Sequence, residues 1–209
     1  MDPMLMAASG SILASQLALK TGWAINLSGG YHHASFHSGG GFCIYPDISL
    51  TVHYLRTRRD IRKIMIIDLD AHQGNGYARD YPIDDELYIV DCYNSRIYPQ
   101  DIDAKEAIHK NMPIDKGTTD EEYIKLVESV SMDFQYFKPE FVIYNAGTDI
   151  LESIGRTIAE INLQTPPQSL IFPSRILTNL LPIRQPPLLS RNNPPHQTTL
   201  RYLTQTTPN

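Results

Sequence analysis

The stretch that determines the fold is residues 63–72, KIMIIDLDAH, in which an apolar run ends in alternating polar residues. A short continuous apolar run is typical of a strand buried on both faces of a parallel sheet. Asp68, Asp70 and His72 occupy alternate positions, so an extended backbone would direct them to one side, roughly 6–7 Å apart. Because ligands of open α/β sheets bind at the carboxyl ends of strands, the segment predicts a binding site at that edge.

Further apolar runs alternate with helix-like stretches along the first three quarters of the chain. Strands are predicted at residues 22–27 (GWAINL), 63–69 (KIMIIDL), 86–91 (ELYIVD) and 140–145 (EFVIYN), and helices at residues 11–20, 47–58 and 118–137. This alternation predicts an α/β fold in which helices cover a parallel sheet. The last helix is the clearest, because Thr119 and the acidic residues after it favour a helix N-terminus.

Composition excludes several classes of function. The 209 residues allow one ordinary domain core, and the net charge of −5 gives no electrostatic support for binding nucleic acid. No apolar run approaches the roughly 18 residues of a membrane span, and the N-terminus has no export signal. Cys43 and Cys92 lie in apolar stretches, which predicts buried free thiols and a reducing compartment, the nucleus or cytoplasm.

The end of the chain has a different character. No Asp or Glu occurs after Glu160, and pairs of prolines recur through this part. Proline interrupts both helices and sheets, and the segment has few means of building a core. Residues 153–209 are therefore predicted to be a Pro-rich, acid-poor tail, disordered or weakly structured.

One more carboxylate reaches the same edge of the predicted sheet. Asp149 follows the strand at residues 140–145 and joins Asp70 and His72 there. Two carboxylates and one imidazole form a plausible catalytic zinc set, because three protein ligands leave a coordination position open. Burying these acids without a cation would be costly. The alternative is that they act as capping and turn residues.

Two adjacent histidines follow the predicted strand at residues 22–27. Gly29 and Gly30 allow close approach of the backbone to a ligand, and His32 and His33 come next. Imidazole titrates near neutral pH, so these histidines are candidates for proton transfer. The glycine run at residues 39–41 ends in Phe42, which either forms one wall of a channel or belongs to a merely flexible loop.

Taken together, these motifs resemble histone deacetylases. The resemblance rests on GGYHH at residues 29–33, GGGFC at 39–43, DLDAHQGNG at 68–76 and NAGTD at 145–149, in the family's order and spacing. GWAIN at residues 22–26, IYP at 97–99 and YNAGTDILE at 144–152 look like the class IV branch, the histone deacetylase 11 group. The resemblance implies a three-layer fold of the arginase and deacetylase type, incomplete at both ends, with residues 1–152 as a partial catalytic domain.

The resemblance also implies roles for individual residues. Zinc ligands would be Asp70, His72 and Asp149; the catalytic set would be His32 paired with Asp68 and His33 facing Asn75; the substrate channel would include Gly41, Phe42 and Tyr98. A structural potassium would contact Asp68, Asp70, His72 and Asp91. Asn75 stands where class I enzymes have a carboxylate, so His33 is expected to be less basic than it would be beside Asp.

The implied reaction is zinc-dependent hydrolysis of an acyl-lysine amide in a histone or another protein, with His33 as general base and acid. Class IV resemblance implies a preference for long fatty-acyl chains. Two elements of the family have no counterpart: its N-terminal portion and the Gly-Gly-Tyr segment whose tyrosine binds the oxyanion. Alternatives are therefore a catalytically impaired product that only binds partners, and a related arginase-fold amidohydrolase acting on acetylpolyamines or guanidino compounds.

Overall fold

The computed structural model describes residues 2–150. These residues form helices α1 (Pro3–Thr21), α2 (Asp47–Arg59), α3 (Asn75–Asp80) and α4 (Asp120–Phe137), a 3-10 helix (Asp103–Ala107), and strands β1 (Ile64–Asp68), β2 (Leu87–Asn94), β3 (Lys110–Ile114) and β4 (Phe141–Asn145). The predicted tail at residues 153–209 lies outside the described residues and stays a prediction, as does the division of the chain at residue 152.

The four strands form one parallel sheet in the order β3-β2-β1-β4. Strand β1 is central and buried along its whole length. In the register of the sheet, Asp68 at the end of β1 pairs with Asp91 on β2 and with Asn145 on β4. Three polar residues therefore lie side by side at the carboxyl edge of an apolar sheet.

Helices cover both faces of this sheet. On one face, Ile64 and Ile66 of β1 pack in a core with residues of α2 and α3. On the other face, Met65 and Ile67 pack with residues of α4. Each such side chain stabilises the fold by about 1.5–3 kcal/mol on burial. The predicted α/β architecture, a parallel sheet between helical layers, is confirmed.

Helix α1 begins earlier than the sequence indicates. The helix was predicted from residue 11, but it begins at Pro3. Asp2 caps it by accepting a hydrogen bond from the Met4 amide at 2.9 Å. Proline at the first helical position needs no backbone donor, so Asp2 and Pro3 form an ordinary helix start. The predicted starts of the other two helices agree with α2 and α4 to within two residues, and Thr119 and Glu122 form a capping box at α4.

The strand predicted at residues 22–27 is wrong. These residues pair with no strand among those the structure describes. Trp23, Ile25 and Leu27 are 62%, 71% and 98% exposed. A strand needs a neighbour that satisfies its backbone groups, and an apolar sequence alone does not supply one.

Strand β3 was not predicted. Its sequence, KNMPI, contains proline and two polar residues and therefore lacks the apolar run of a central strand. Pro113 is tolerated because β3 lies at the edge of the sheet.

Cys43 and Cys92 are buried and free, which confirms the expected thiols. Within residues 2–150, no helix has both the length and the apolar composition needed to cross a bilayer.

Candidate metal centre and catalytic histidines

The three predicted metal ligands lie together at the carboxyl edge of the sheet. Asp70 and His72 directly follow β1, and Asp149 follows β4. One potential ligand atom from each lies within 4.8 Å of the others. His72 Nδ1 is 2.9 Å from Asp149 Oδ2 and 3.1 Å from Asp70 Oδ1. The spacing of the side chains is therefore that of a group able to share one ion.

Backbone contacts hold the two carboxylates in place. The Ala71 amide donates to Asp149 Oδ1 at 2.8 Å, and the His72 amide donates to Asp70 Oδ1 at 2.8 Å. Gly147 lets the two strand ends approach, because a Cβ at this position would lie 2.2 Å from the Asp70 Cα. The glycine in the NAGTD motif is thus needed for the close packing of Asp149 beside Asp70.

The charges of this site fit a divalent cation. Burial raises the pKa of Asp70, and the negative charges of Asp68 and Asp149 raise it further, although His32 opposes them. Among residues 2–150, neither Asp70 nor Asp149 forms an ion pair with a lysine or arginine. Carboxylate oxygens and an imidazole nitrogen are donors that zinc accepts, and a cation would offset the cost of placing the acids together.

His32 forms a buried ion pair with Asp68. Its Nδ1 lies 2.8 Å from Asp68 Oδ2, and Asp68 is fully buried. Burial by itself would lower the pKa of His32, but the charge of Asp68 and its hydrogen bond, with the charges of Asp70 and Asp91, raise the pKa to about 9. His32 is therefore an imidazolium at neutral pH.

Other donors complete the surroundings of Asp68. The Tyr77 hydroxyl donates to Asp68 Oδ2 at 3.0 Å, and the Asn145 amide donates to Asp68 Oδ1 at 3.0 Å. The Asp70 backbone amide donates to the same Oδ1 at 3.1 Å. With His32, four donors surround this carboxylate, so both of its oxygens are hydrogen-bonded although the side chain is fully buried.

His33 has a different partner, the amide of Asn75. His33 Nδ1 lies 2.9 Å from Asn75 Oδ1. Because an amide oxygen only accepts, Nδ1 carries the hydrogen and the lone pair is on Nε2. Burial and then the positive charge of His32 lower the pKa of His33 to about 4, although the bond to Asn75 opposes this. His33 is therefore a neutral imidazole with a free acceptor nitrogen.

The three predicted channel residues lie around or beyond His33. The Tyr98 ring packs edge-on against His33, with ring centroids 4.9 Å apart. Gly41 lies so close that a Cβ there would be 2.2 Å from His33 Cδ2, and its φ of +49° is left-handed. The Phe42 side chain is fully exposed. The structure thus brings Gly41 and Tyr98 against His33 and leaves Phe42 in solvent.

Asp47 and Asn145 support the site but were not among the predicted site residues. Asp47 is fully buried and accepts from the amides of Gly30 and Tyr31 at 2.8 Å and 2.7 Å, so it fixes the loop before the histidines. The sequence assigned Asp47 only to the start of a helix. Asn145 could have been predicted from the sequence, because it is a polar residue at the end of an otherwise apolar strand. In the sheet it lies next to Asp68.

The residues expected to contact potassium also lie close together. Asp91 is fully buried, its Oδ2 accepts from the Gly74 amide at 2.9 Å, and its Oδ1 has no hydrogen-bond partner within residues 2–150. Burial raises the pKa of Asp91 well above its ordinary value, and the charge of Asp68 adds to this. A buried oxygen without a donor, beside Asp68, is an arrangement that a monovalent cation would satisfy.

Comparison with known proteins shows the family. Residues 1–166 match the histone deacetylase domain. The chain is 49% identical over 151 residues to histone deacetylase 2 of Arabidopsis thaliana, an alignment that covers 72% of this chain and 39% of that relative. It is 30% identical over 160 residues to a probable deacetylase of Archaeoglobus fulgidus, covering 71% of this chain and 44% of that protein.

The fold has a counterpart among solved structures. An acetylpolyamine aminohydrolase from Burkholderia pseudomallei aligns with a TM-score of 0.59 and 23% identity, over 69% of this chain and 45% of that one. This likeness shows the fold alone and confirms the predicted arginase and deacetylase type. The chain spans less than half the length of the curated relatives it matches. Since the family match extends over most of its residues, this chain belongs to the histone deacetylase domain family.

Proposed function

We propose that this chain carries the metal centre of a zinc-dependent deacylase that hydrolyses amides on lysine side chains of proteins. One observation carries the proposal: ligand atoms of Asp70, His72 and Asp149 lie within 4.8 Å of one another, and the neutral His33 ring has its centroid 5.9 Å from that of His72. A carboxylate and imidazole set next to a proton acceptor is the arrangement that metal-assisted amide hydrolysis requires.

The two histidines would have different roles: His33 would transfer protons, and His32 would supply a positive charge. A zinc ion at the three ligands would supply the positive charge that polarises the acyl carbonyl. His33 takes a proton from the attacking water at its free Nε2 and returns it to the leaving lysine amine. His32 stays protonated through its pair with Asp68, and its charge favours the negative charge that develops on the carbonyl oxygen.

The substrate side of the proposal concerns an acyl-lysine arm. Gly41 and Tyr98 lie against His33, and we propose that the exposed side chain of Phe42 contacts the substrate at the mouth of the channel. We propose, from the resemblance of its GWAIN and YNAGTDILE motifs alone, that the chain belongs to the class IV branch and that its preferred substrates carry long fatty-acyl groups. A structural potassium beside Asp91 and a location in the nucleus or cytoplasm complete the proposal.

A second candidate is a chain that binds zinc and partners without turnover. This candidate rests on the family's Gly-Gly-Tyr segment, for which the sequence shows no counterpart; among the described residues, the Tyr77 hydroxyl donates to the buried Asp68. Loss of one oxyanion donor typically lowers the rate by about 10²–10³-fold. A third candidate, an amidohydrolase for acetylpolyamines, has only the shared fold in its favour.

Zinc titration followed by an activity assay separates these candidates. Calorimetry should show one zinc bound to the full chain and strongly weakened binding to the Asp149→Asn variant. The zinc-loaded chain is then given acetyl-lysine, myristoyl-lysine and acetylpolyamine substrates. His33→Ala is the matched control, because it should bind zinc as the unchanged chain does and show no turnover.

Each result supports one candidate. Turnover of acyl-lysine peptides that His33→Ala removes supports the deacylase, and a higher kcat/KM for myristoyl-lysine supports the class IV assignment. Zinc binding with no turnover of any substrate supports the binding-only candidate. Failure to bind zinc, or binding that Asp149→Asn leaves unchanged, contradicts the proposed metal centre.

A further inference from the structure

We infer that Asp101 and Arg79 are positioning residues that hold the amide of Asn75 with its oxygen toward His33. The inference rests on the proposed function, in which His33 moves protons. It concerns an ion pair behind the histidine, in contact with none of the three proposed metal ligands.

The contacts form one chain from the surface to His33. Asn75 Oδ1 lies 2.9 Å from His33 Nδ1, and Asn75 Nδ2 donates to Asp101 Oδ2 at 3.0 Å. Arg79 binds both oxygens of Asp101, with its Nη2 2.7 Å from Oδ1. Arg79 therefore orients the Asp101 carboxylate, the carboxylate orients the Asn75 amide, and the amide orients the His33 ring.

Asparagine needs such a partner because its side chain can point either way. The oxygen and the NH2 group of an amide have nearly the same shape, and a turn of 180° exchanges an acceptor for a donor. With the NH2 toward His33, Nδ1 would have to accept and the hydrogen would move to Nε2. The nitrogen that should take a proton from water would then already carry one.

Asp101 favours one of these two orientations of the Asn75 amide. An ionised carboxylate only accepts, so it binds the NH2 group of Asn75 and leaves the oxygen for His33. Hydrogen bonds from Arg79 and Asn75 lower the pKa of Asp101, although its burial alone would raise it. The carboxylate thus remains ionised and keeps the amide in one orientation.

The backbone of Asp101 is itself fixed. The Gln73 side chain pairs with it twice, donating to the Asp101 carbonyl at 2.8 Å and accepting from the Asp101 amide at 3.0 Å. Gln73 is 1% exposed, and the Ala104 amide donates to Asp101 Oδ1 at 3.2 Å. Asp101 is therefore held by the fold rather than drawn in by Arg79 alone.

The test is the tautomer of His33 read by ¹⁵N–¹H NMR of the histidine side chains, with and without zinc and without substrate. The unchanged chain should show hydrogen on Nδ1. Asp101→Asn should move most or all of that population to Nε2 and lower kcat about 10- to 100-fold, the usual loss for an outer partner, with KM changed less than about twofold. Arg79→Gln keeps the carboxylate and should give a smaller change in the same direction.

A compensating change makes the test specific. In Asn75→Asp/Asp101→Asn, the carboxylate at position 75 accepts from His33 in either orientation, and the amide at position 101 donates to it. The double variant should restore the Nδ1 hydrogen and recover most of the lost kcat. Asn75→Asp alone would place two carboxylates about 3 Å apart and should not gain activity.

The matched control is Asp84→Asn. Asp84 is also bound by an arginine through both oxygens, but its partner Arg56 contacts neither histidine. This control should leave the His33 tautomer and kcat unchanged. An unaltered tautomer in folded Asp101→Asn, or a double variant that restores nothing, overturns the inference. The NMR result holds even for a chain without turnover, so it is separate from failure of the proposed function.

Discussion

His32 and His33 are neighbours in the chain with ring centroids 4.1 Å apart, yet their environments shift their pKa values in opposite directions. Asp68 raises the pKa of His32 to about 9 against the effect of burial, whereas burial and the charge of His32 lower the pKa of His33 to about 4. The partner of each imidazole, a carboxylate for one and an amide for the other, therefore sets which ring holds a charge and which holds a lone pair.

Because their partners differ, the two adjacent histidines have different protonation states at neutral pH. A protonated His32 supplies fixed positive charge, and that charge keeps the adjacent His33 neutral and able to accept a proton. Two protonation states thus arise in one dipeptide because Asp68 of the sheet and Asn75 of the segment after it are different partners.

The largest expected effect on stability comes from removing Asp68, the partner of His32, and it should exceed the effect of removing Asn75, the partner of His33. Asp68→Ala leaves four donors, two of them on the buried side chains of His32 and Tyr77, without their acceptor and should lower the free energy of unfolding by about 3–5 kcal/mol. Asn75→Ala removes a neutral acceptor and should cost about 1 kcal/mol. Urea unfolding of both variants measures the difference. Equal losses would show that the two partners do not differ in the way described.

The pH dependence of stability should separate the two rings. The folded-state pKa of His32 lies above its ordinary value of 6.5, so its stabilisation is complete below pH 6.5 and is lost as pH rises through about 9. The full loss is on the order of 3 kcal/mol. His33 has a lowered pKa, so its contribution is present above pH 6.5 and is lost as pH falls through about 4.

Urea midpoints measured between pH 4 and pH 9.5 with a chelator present test this prediction. His32→Gln should flatten the curve on the alkaline side and His33→Gln on the acidic side, each relative to the unchanged chain. If both variants flatten the same side, the assigned directions are wrong.

A smaller effect is expected from crowding His33. Gly41→Ala places a methyl group on the His33 ring and should lower kcat by about tenfold, since displacement of a reacting group by about 1 Å costs up to 10²-fold. Gly22→Ala is the matched control, because Gly22 also has positive φ but has open space around it. Gly22→Ala should cost about 1 kcal/mol of stability, and Gly41→Ala should cost more because its methyl group also displaces the His33 ring; only Gly41→Ala should reduce kcat.

The smallest effect on stability is expected at the channel mouth. Phe42→Ala removes an exposed ring and should change the free energy of unfolding by less than about 0.5 kcal/mol, while KM for acyl-lysine peptides rises severalfold. Ile83→Ala, at a side chain that is 94% exposed, is the control and should alter neither quantity. An unchanged KM in Phe42→Ala would remove this residue from the channel.

The carboxyl edge of the sheet could be predicted because its signals are local. The apolar runs that became β1 and β4 end in the polar residues that face one another, and parallel strands bring their ends together. Long-range support could not be predicted in the same way. Asp101 is 26 residues from Asn75, and only the folded chain shows that its carboxylate meets that amide.

The pairing of the strands could not be predicted from the sequence either. Residues 22–27 have the composition of a strand but no partner within the described part of the chain, whereas β3 has a partner in spite of its proline. Composition reports how apolar a segment is, and pairing depends on which other segment lies beside it.

The register of the sheet has a consequence for measurement. Asp68 lies opposite Asp91 and Asn145, and the ligand-bearing segments continue directly from β1 and β4. A slip of one residue between these strands would turn a whole row of side chains to the other face, carrying the polar groups away from one another. At the proposed metal centre, affinity for zinc would therefore report on correct strand alignment, and a refolded sample could be tested by titration even when no catalysis is assayed.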